Sequence, residues 1–184
     1  MENNDEKKLA NENTPENPQA AQPQGFTNEA PESVWADGVP ANLKEEDKLT
    51  TQQLVAMAVK YIAEQVIVQK GFKIEPGFPR MANPNIVATK DGKTYAIIVF
   101  PSVYPQFVGL SDDFRLKFVE MVKKNGGIAL YAPVGYRSTD EGRAKAGLAL
   151  KGDVFRVTFP GFIELGEEEH LDYTKIKPED YFRP

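Results

Sequence analysis

Apolar and polar positions sort into a regular pattern only between residues 49 and 165. Leu54, Met57, Ala58, Tyr61, Ile62 and Val66 recur at spacings of three and four, which predicts a helix with one buried stripe, ended by Gly71. Phe72-Lys73-Ile74-Glu75 alternates as a short strand does. After Pro76, Gly77 and Pro79, Asn85-Ile86-Val87-Ala88-Thr89 reads as a second strand. Asp91-Gly92 then supplies a two-residue hairpin turn. The strand that follows, Thr94-Tyr95-Ala96-Ile97-Ile98-Val99-Phe100, is almost wholly apolar, so both of its faces are expected to be covered.

Ser111-Asp112-Asp113 places a hydroxyl cap and two acids at the start of a second helix. Phe114, Phe118, Met121 and Val122 are its expected apolar stripe, and Asn125-Gly126-Gly127 its end. Ile128-Ala129-Leu130-Tyr131-Ala132 predicts another buried strand. Ser138-Thr139-Asp140-Glu141 matches a capping box and opens an Ala-rich third helix to about Leu150. Residues 154–159 and 162–165 predict one closing strand, with Pro160-Gly161 as its weak point. The order α-β-β-β-α-β-α-β belongs to the α/β (α+β) class: a central mixed β-sheet flanked by helices.

Composition and charge change the picture outside that body. The 184 residues hold no cysteine and one histidine, which excludes disulfides, thiol nucleophiles, thiolate metal sites and any His-rich centre. No leader and no membrane span is apparent in the sequence, and the expected location is the cytoplasm. The net charge of −5 conceals three parts. Residues 1–48 carry 4 basic and 11 acidic side chains, residues 49–165 carry 15 and 10, and residues 166–184 carry 3 and 6. The expected organisation is therefore a disordered acidic arm over 1–48, a single mildly basic domain over 49–165, and an acidic tail over 166–184. Trp35, isolated in the arm, is a candidate anchor for a partner.

A helix, a short strand after a Gly-aromatic pair, a hairpin of two strands, a helix and a strand together resemble the core of the PD-(D/E)XK nuclease superfamily, the restriction-endonuclease-like fold. The local match is Gly71-Phe72-Lys73-Ile74, Pro84-Asn85-Ile86-Val87-Ala88, the Asp91-Gly92-Lys93 turn and Tyr95-Ala96-Ile97-Ile98-Val99-Phe100, within residues 50–135. In active relatives an aspartate and an acid-x-lysine triplet on the hairpin hold Mg²⁺ and steady phosphate charge. Carried across, those positions are Asn85, Ile98 and Phe100, none of which supplies the required chemistry. The resemblance thus implies a degenerate nuclease scaffold with no catalytic residues, metal or cofactor. The alternative is a migrated Mg²⁺-dependent site, for which Glu64 and Glu75 are the fallback acids.

The remaining candidates concern binding. Lys117, Lys123, Lys124, Arg137, Arg143 and Lys145 would form a modest basic field for phosphates if they converge. An acidic arm competing for that field would make nucleic-acid binding weak and salt-sensitive. Tyr104 and Phe107, beside two prolines after the degenerate strand, form a candidate recognition loop. His170, in Glu167-Glu168-Glu169-His170-Leu171-Asp172, has carboxylate neighbours but reads as part of a solvated tail. The expected function is a non-catalytic module binding a protein partner. The alternatives are a nucleic-acid-binding or nucleic-acid-cleaving protein, and a structural subunit of an oligomer.

Overall fold

A computed structural model describes residues 42–166 and the backbone of residues 35–36 and 39–40. The described residues begin with a small antiparallel pair, β1 (Trp35–Ala36) and β2 (Val39–Pro40), followed by a short 3₁₀ turn at Glu45–Asp47. The folded part therefore reaches into the span expected to be a disordered arm. Backbone bonds explain why. The Leu49 N–H donates to the Ala149 carbonyl at 2.8 Å, and the Lys151 N–H to the Asp47 carbonyl at 2.9 Å. The Trp35 side chain lies outside the described residues.

Helix α1 (Thr51–Tyr61) starts at Thr50, whose hydroxyl accepts from the Gln53 N–H while the Gln53 side chain accepts from the Thr50 N–H. That reciprocal arrangement satisfies two otherwise orphan donors. The helix continues with π geometry over Ile62–Ile67, where Ile62, Ala63, Val66 and Ile67 are buried. Next come β3 (Lys73–Ile74), β4 (Ile86–Lys90) and β5 (Lys93–Val103). The turn between β4 and β5 is the predicted one. Asp91 has φ 51° and Gly92 φ 74°, a pairing with positive φ at both positions that these two residue types tolerate best.

Helix α2 (Asp112–Lys124) is capped by the Ser111 hydroxyl, which accepts from the Phe114 N–H, and leads into β6 (Ile128–Ser138). β5 and β6 run parallel and neighbour each other, whereas β3–β4 and β4–β5 are antiparallel, so the sheet is mixed. Two details of the predicted order change. The third helix, α3 (Glu141–Lys145), is a single short turn capped by the Asp140 carboxylate rather than a helix reaching Leu150. The last strand divides into β7 (Phe155–Thr158) and β8 (Ile163–Glu164), both antiparallel to β6. Pro160 and Gly161 separate them, as an imino acid without an N–H and a residue at φ 131° would.

The alternation of β5 allots its side chains to two cores. Ile97 and Val99 join Ile86, Ala88 and the buried side of α1. Ala96 and Ile98 join Tyr131 and the buried side of α2. The buried side of α2 differs from the predicted stripe: Phe114 and Met121 are exposed, while Arg115, Phe118, Val119 and Val122 are buried. Arg115 turns inward because its guanidinium has partners there. It donates to the Gly166 carbonyl and to the Asp112 carboxylate.

Among the described residues, the buried hydroxyl of Tyr136 on β6 has no hydrogen-bond partner. Burial, with a smaller contribution from the Tyr61 phenol, holds its pKa well above the ordinary value near 10. The folded state thus keeps a proton that the unfolded chain releases above pH 10. The Tyr136 contribution is fully present below that pH, and stability falls by about 1.4 kcal/mol per pH unit above it. Tyr136→Phe removes both effects. Its urea midpoint is expected to rise at pH 7 by the equivalent of about 1 kcal/mol, with a shallower loss at alkaline pH. A lower midpoint would show that the hydroxyl is bonded.

Candidate functional site

The two hairpin strands on which a nuclease would carry its acids are paired neighbours here: Ile86 faces Ile97 and Val87 faces Ala96. Asn85 stands at the start of β4 and is 1% exposed. Its side-chain oxygen accepts from the Val99 N–H at 2.8 Å, and its amide nitrogen donates to the Arg80 and Met81 carbonyls at 3.3 and 3.4 Å. The amide therefore stitches the 80–84 loop to β5 through three backbone groups. Ile98 is 1% exposed beneath α2.

Phe100 is half-buried, against Tyr131 at 6.4 Å between ring centroids. Its other side forms a wall of a cleft of about 420 Å³ at the carboxyl end of β5. Leu49, Leu54, Val108 and Leu148 continue that wall, and Lys48, Thr51 and Gln106 supply its polar rim. Ser102 lies at the same end with its hydroxyl engaged on both sides of Val108: it accepts from the N–H at 3.1 Å and donates to the carbonyl at 3.4 Å. The Mg²⁺ implied by the nuclease alternative does not suit these side chains. A spent amide oxygen, an isoleucine and a phenylalanine offer no anionic ligand. Among the described residues no cluster of three or more His, Asp or Glu is placed to hold a metal.

The fallback acids lie apart in role. Glu64 is exposed, in the π-helical stretch, and lines a second cleft of about 440 Å³ with Lys60, Arg80, Val59, Val68 and Met81. Glu75 follows β3, half-buried, and is not among that cleft's walls. Its backbone N–H donates to the Val87 carbonyl at 2.9 Å.

The basic candidates also divide. Lys117, Lys123 and Lys124 are exposed along α2, and Lys145 is exposed on α3. Arg137 is held by the Glu141 carboxylate, at 3.0 and 2.9 Å to its two oxygens, and its guanidinium lies 4.6 Å over the Tyr104 ring. That contact joins two candidates that sequence reasoning treated separately. Arg143 pairs with Asp153, a carboxylate only 2% exposed that also accepts from the Ser138 hydroxyl and the Leu150 N–H. Its charge thus compensates a buried anion. Phe107 is half-buried in its loop. His170 and the carboxylates beside it lie outside the described residues.

Sequence reasoning missed both clefts. The first is assembled from segments near residues 50, 100 and 148, and no periodicity links positions so distant. A usable signal was Phe100, a large apolar side chain on the last turn of strand before a loop.

No described helix is long and apolar enough to cross a membrane. No curated protein and no solved structure matches the chain. Residues 52–165 match the family described as a domain of unknown function (DUF8840), and the chain belongs to that family.

Proposed function

We propose that the chain is a catalytically silent relative of the restriction-endonuclease-like fold that serves in the cytoplasm as a protein-interaction module. One observation carries this reading: the end of β5 where a nuclease would place its lysine bears Phe100, the wall of an apolar cleft. The condition of Asn85 and Ile98 supports it further, since one is consumed by backbone and the other by core. A concave apolar patch with a few polar groups at its rim is the usual form of a specific binding site. Arg137 and Arg143 are engaged by carboxylates, which weakens the case for a basic field that binds nucleic acid.

Two measurements test the reading. Incubation with DNA and RNA in Mg²⁺ or Mn²⁺ is expected to give no cleavage. Cleavage abolished by Glu64→Ala or Glu75→Ala would overturn the proposal. A photo-crosslinking residue at Gln106, on the cleft rim, is expected to join the chain to another polypeptide, with the adduct lost in Phe100→Ala. Adducts to nucleic acid alone would favour the competing reading.

A further inference from the structure

The second cleft shares no wall residue with the one at Phe100. Its walls come from the second half of α1, the π-helical stretch, β3 and the loop that follows β3. Two of its side chains are large, apolar and open to water: Val68 is 63% exposed and Met81 50%. With Ala63 they make a concave apolar surface, the form that takes up the apolar part of a ligand.

Three charged side chains stand at this surface, Lys60, Glu64 and Arg80. Lys60 and Glu64 are four apart, a spacing that pairs opposite charges on an α-helix. The π geometry that begins at Ile62 breaks that spacing, and among the described residues neither side chain has an ion-pair partner. Arg80 is held more firmly. Its backbone N–H donates to the Asn85 carbonyl at 2.8 Å and its Nε to the Pro84 carbonyl at 3.2 Å. Its guanidinium carbon lies 4.6 Å from the centre of the Phe78 ring, and its own carbonyl accepts from the Asn85 amide. Among the described residues its two terminal nitrogens donate to nothing. A guanidinium ordered in advance loses little freedom when a carboxylate takes up its paired N–H groups. Two cations and one acid leave a net charge of +1, which a monoanion matches.

We propose that this cleft binds a small amphipathic carboxylate, with its head on Arg80 and Lys60 and its apolar body along Ala63, Val68 and Met81. The volume of about 440 Å³ lies within the usual range for small-molecule sites, about 300–1,000 Å³.

Octanoate is the probe, titrated into the isotope-enriched full chain. Amide shifts are expected to saturate and to cluster at residues 56–68 and 74–81. Decanoate should bind more tightly, by about fourfold for each added methylene. Octanol, with the same tail and no charge, should bind at least about tenfold more weakly, and octylammonium more weakly still. Arg80→Gln should weaken octanoate by about tenfold, and Lys60→Gln by about threefold, with octanol affinity unchanged in both. Lys60→Gln, at an exposed position, carries the decision if Arg80→Gln loses octanol as well. Shifts that never saturate overturn the proposal, as do shifts centred on the Phe100 cleft. Octanol or octylammonium binding as tightly as octanoate overturns it too, and so does octanoate affinity that Lys60→Gln leaves unchanged.

Discussion

Ile98→Glu is expected to unfold the domain instead of restoring a catalytic acid. The side chain is 1% exposed among Ala96, Phe118, Val119 and Tyr131, and the buried cation of α2, Arg115, is already engaged by the Asp112 carboxylate and the Gly166 carbonyl. A buried charge left without a partner costs several kcal/mol, and here lost apolar packing adds to it, so a loss of at least about 4 kcal/mol is expected. That approaches the whole stability of a typical domain, about 5–15 kcal/mol. Burial would raise the folded-state pKa of the new acid above its unfolded value. Its penalty is therefore smallest below about pH 4 and grows as pH rises. Circular dichroism melts at several pH values check both the size and the sign. A variant that melts like the parent at pH 7 would mean that water reaches this position, and the reading of a filled catalytic face would fall.

Asn85→Asp is expected to cost less but to be more informative. The two side chains are nearly the same size, so packing hardly changes. The difference is one donor group. The Asn85 nitrogen gives hydrogen bonds to two carbonyl oxygens, and a carboxylate oxygen in its place would face both of them unprotonated. The contact with the Val99 N–H survives, because either side chain can accept it. Two lost bonds and a buried charge amount to about 3 kcal/mol near neutral pH, and protonation of the acid at low pH returns part of this by restoring a donor. Urea titrations at pH 5 and pH 8 should show the larger deficit at pH 8. Equal deficits would place the amide in water. Asn85 is thus a structural clamp in this chain, suited by its chemistry to backbone and unsuited to metal.

The parts of the fold legible in the sequence are those whose determinants are local. The β4–β5 turn follows from Asp91-Gly92, the α2 start from Ser111, and the doubly covered β5 from an unbroken apolar run. What escaped depends on partners far along the chain. Arg115 is polar, so periodicity assigned it to solvent, yet it is buried because a carbonyl 51 residues away needs its protons. The anchoring of residues 47–49 depends on the 149–151 segment in the same way. The candidate site shows the same division. That Ala96 and Ile98 share one face of β5 was readable from strand parity. That Asn85 is locked by three backbone partners, and that Phe100 borders a cleft, required the loops to be in place.

The outer edge of β6 has a consequence for how the molecule meets others. β8 pairs with Leu130 and Tyr131, and β7 with residues 135–138, so the stretch between them is bridged by neither. Pro133 lies in that interval. The neighbouring odd-numbered Ala129 turns its carbonyl to the β8 side, so Pro133, on the same parity, directs its hydrogen-free nitrogen into the interval, where no donor is called for. At the far side of the sheet β3 is two residues long. At the rims formed by β3, β7 and β8, an incoming strand thus finds only runs of two or four residues to zip against, too few for a stable ladder. Growth by strand addition is thus disfavoured at these three short rims, which turns association toward the helices and clefts.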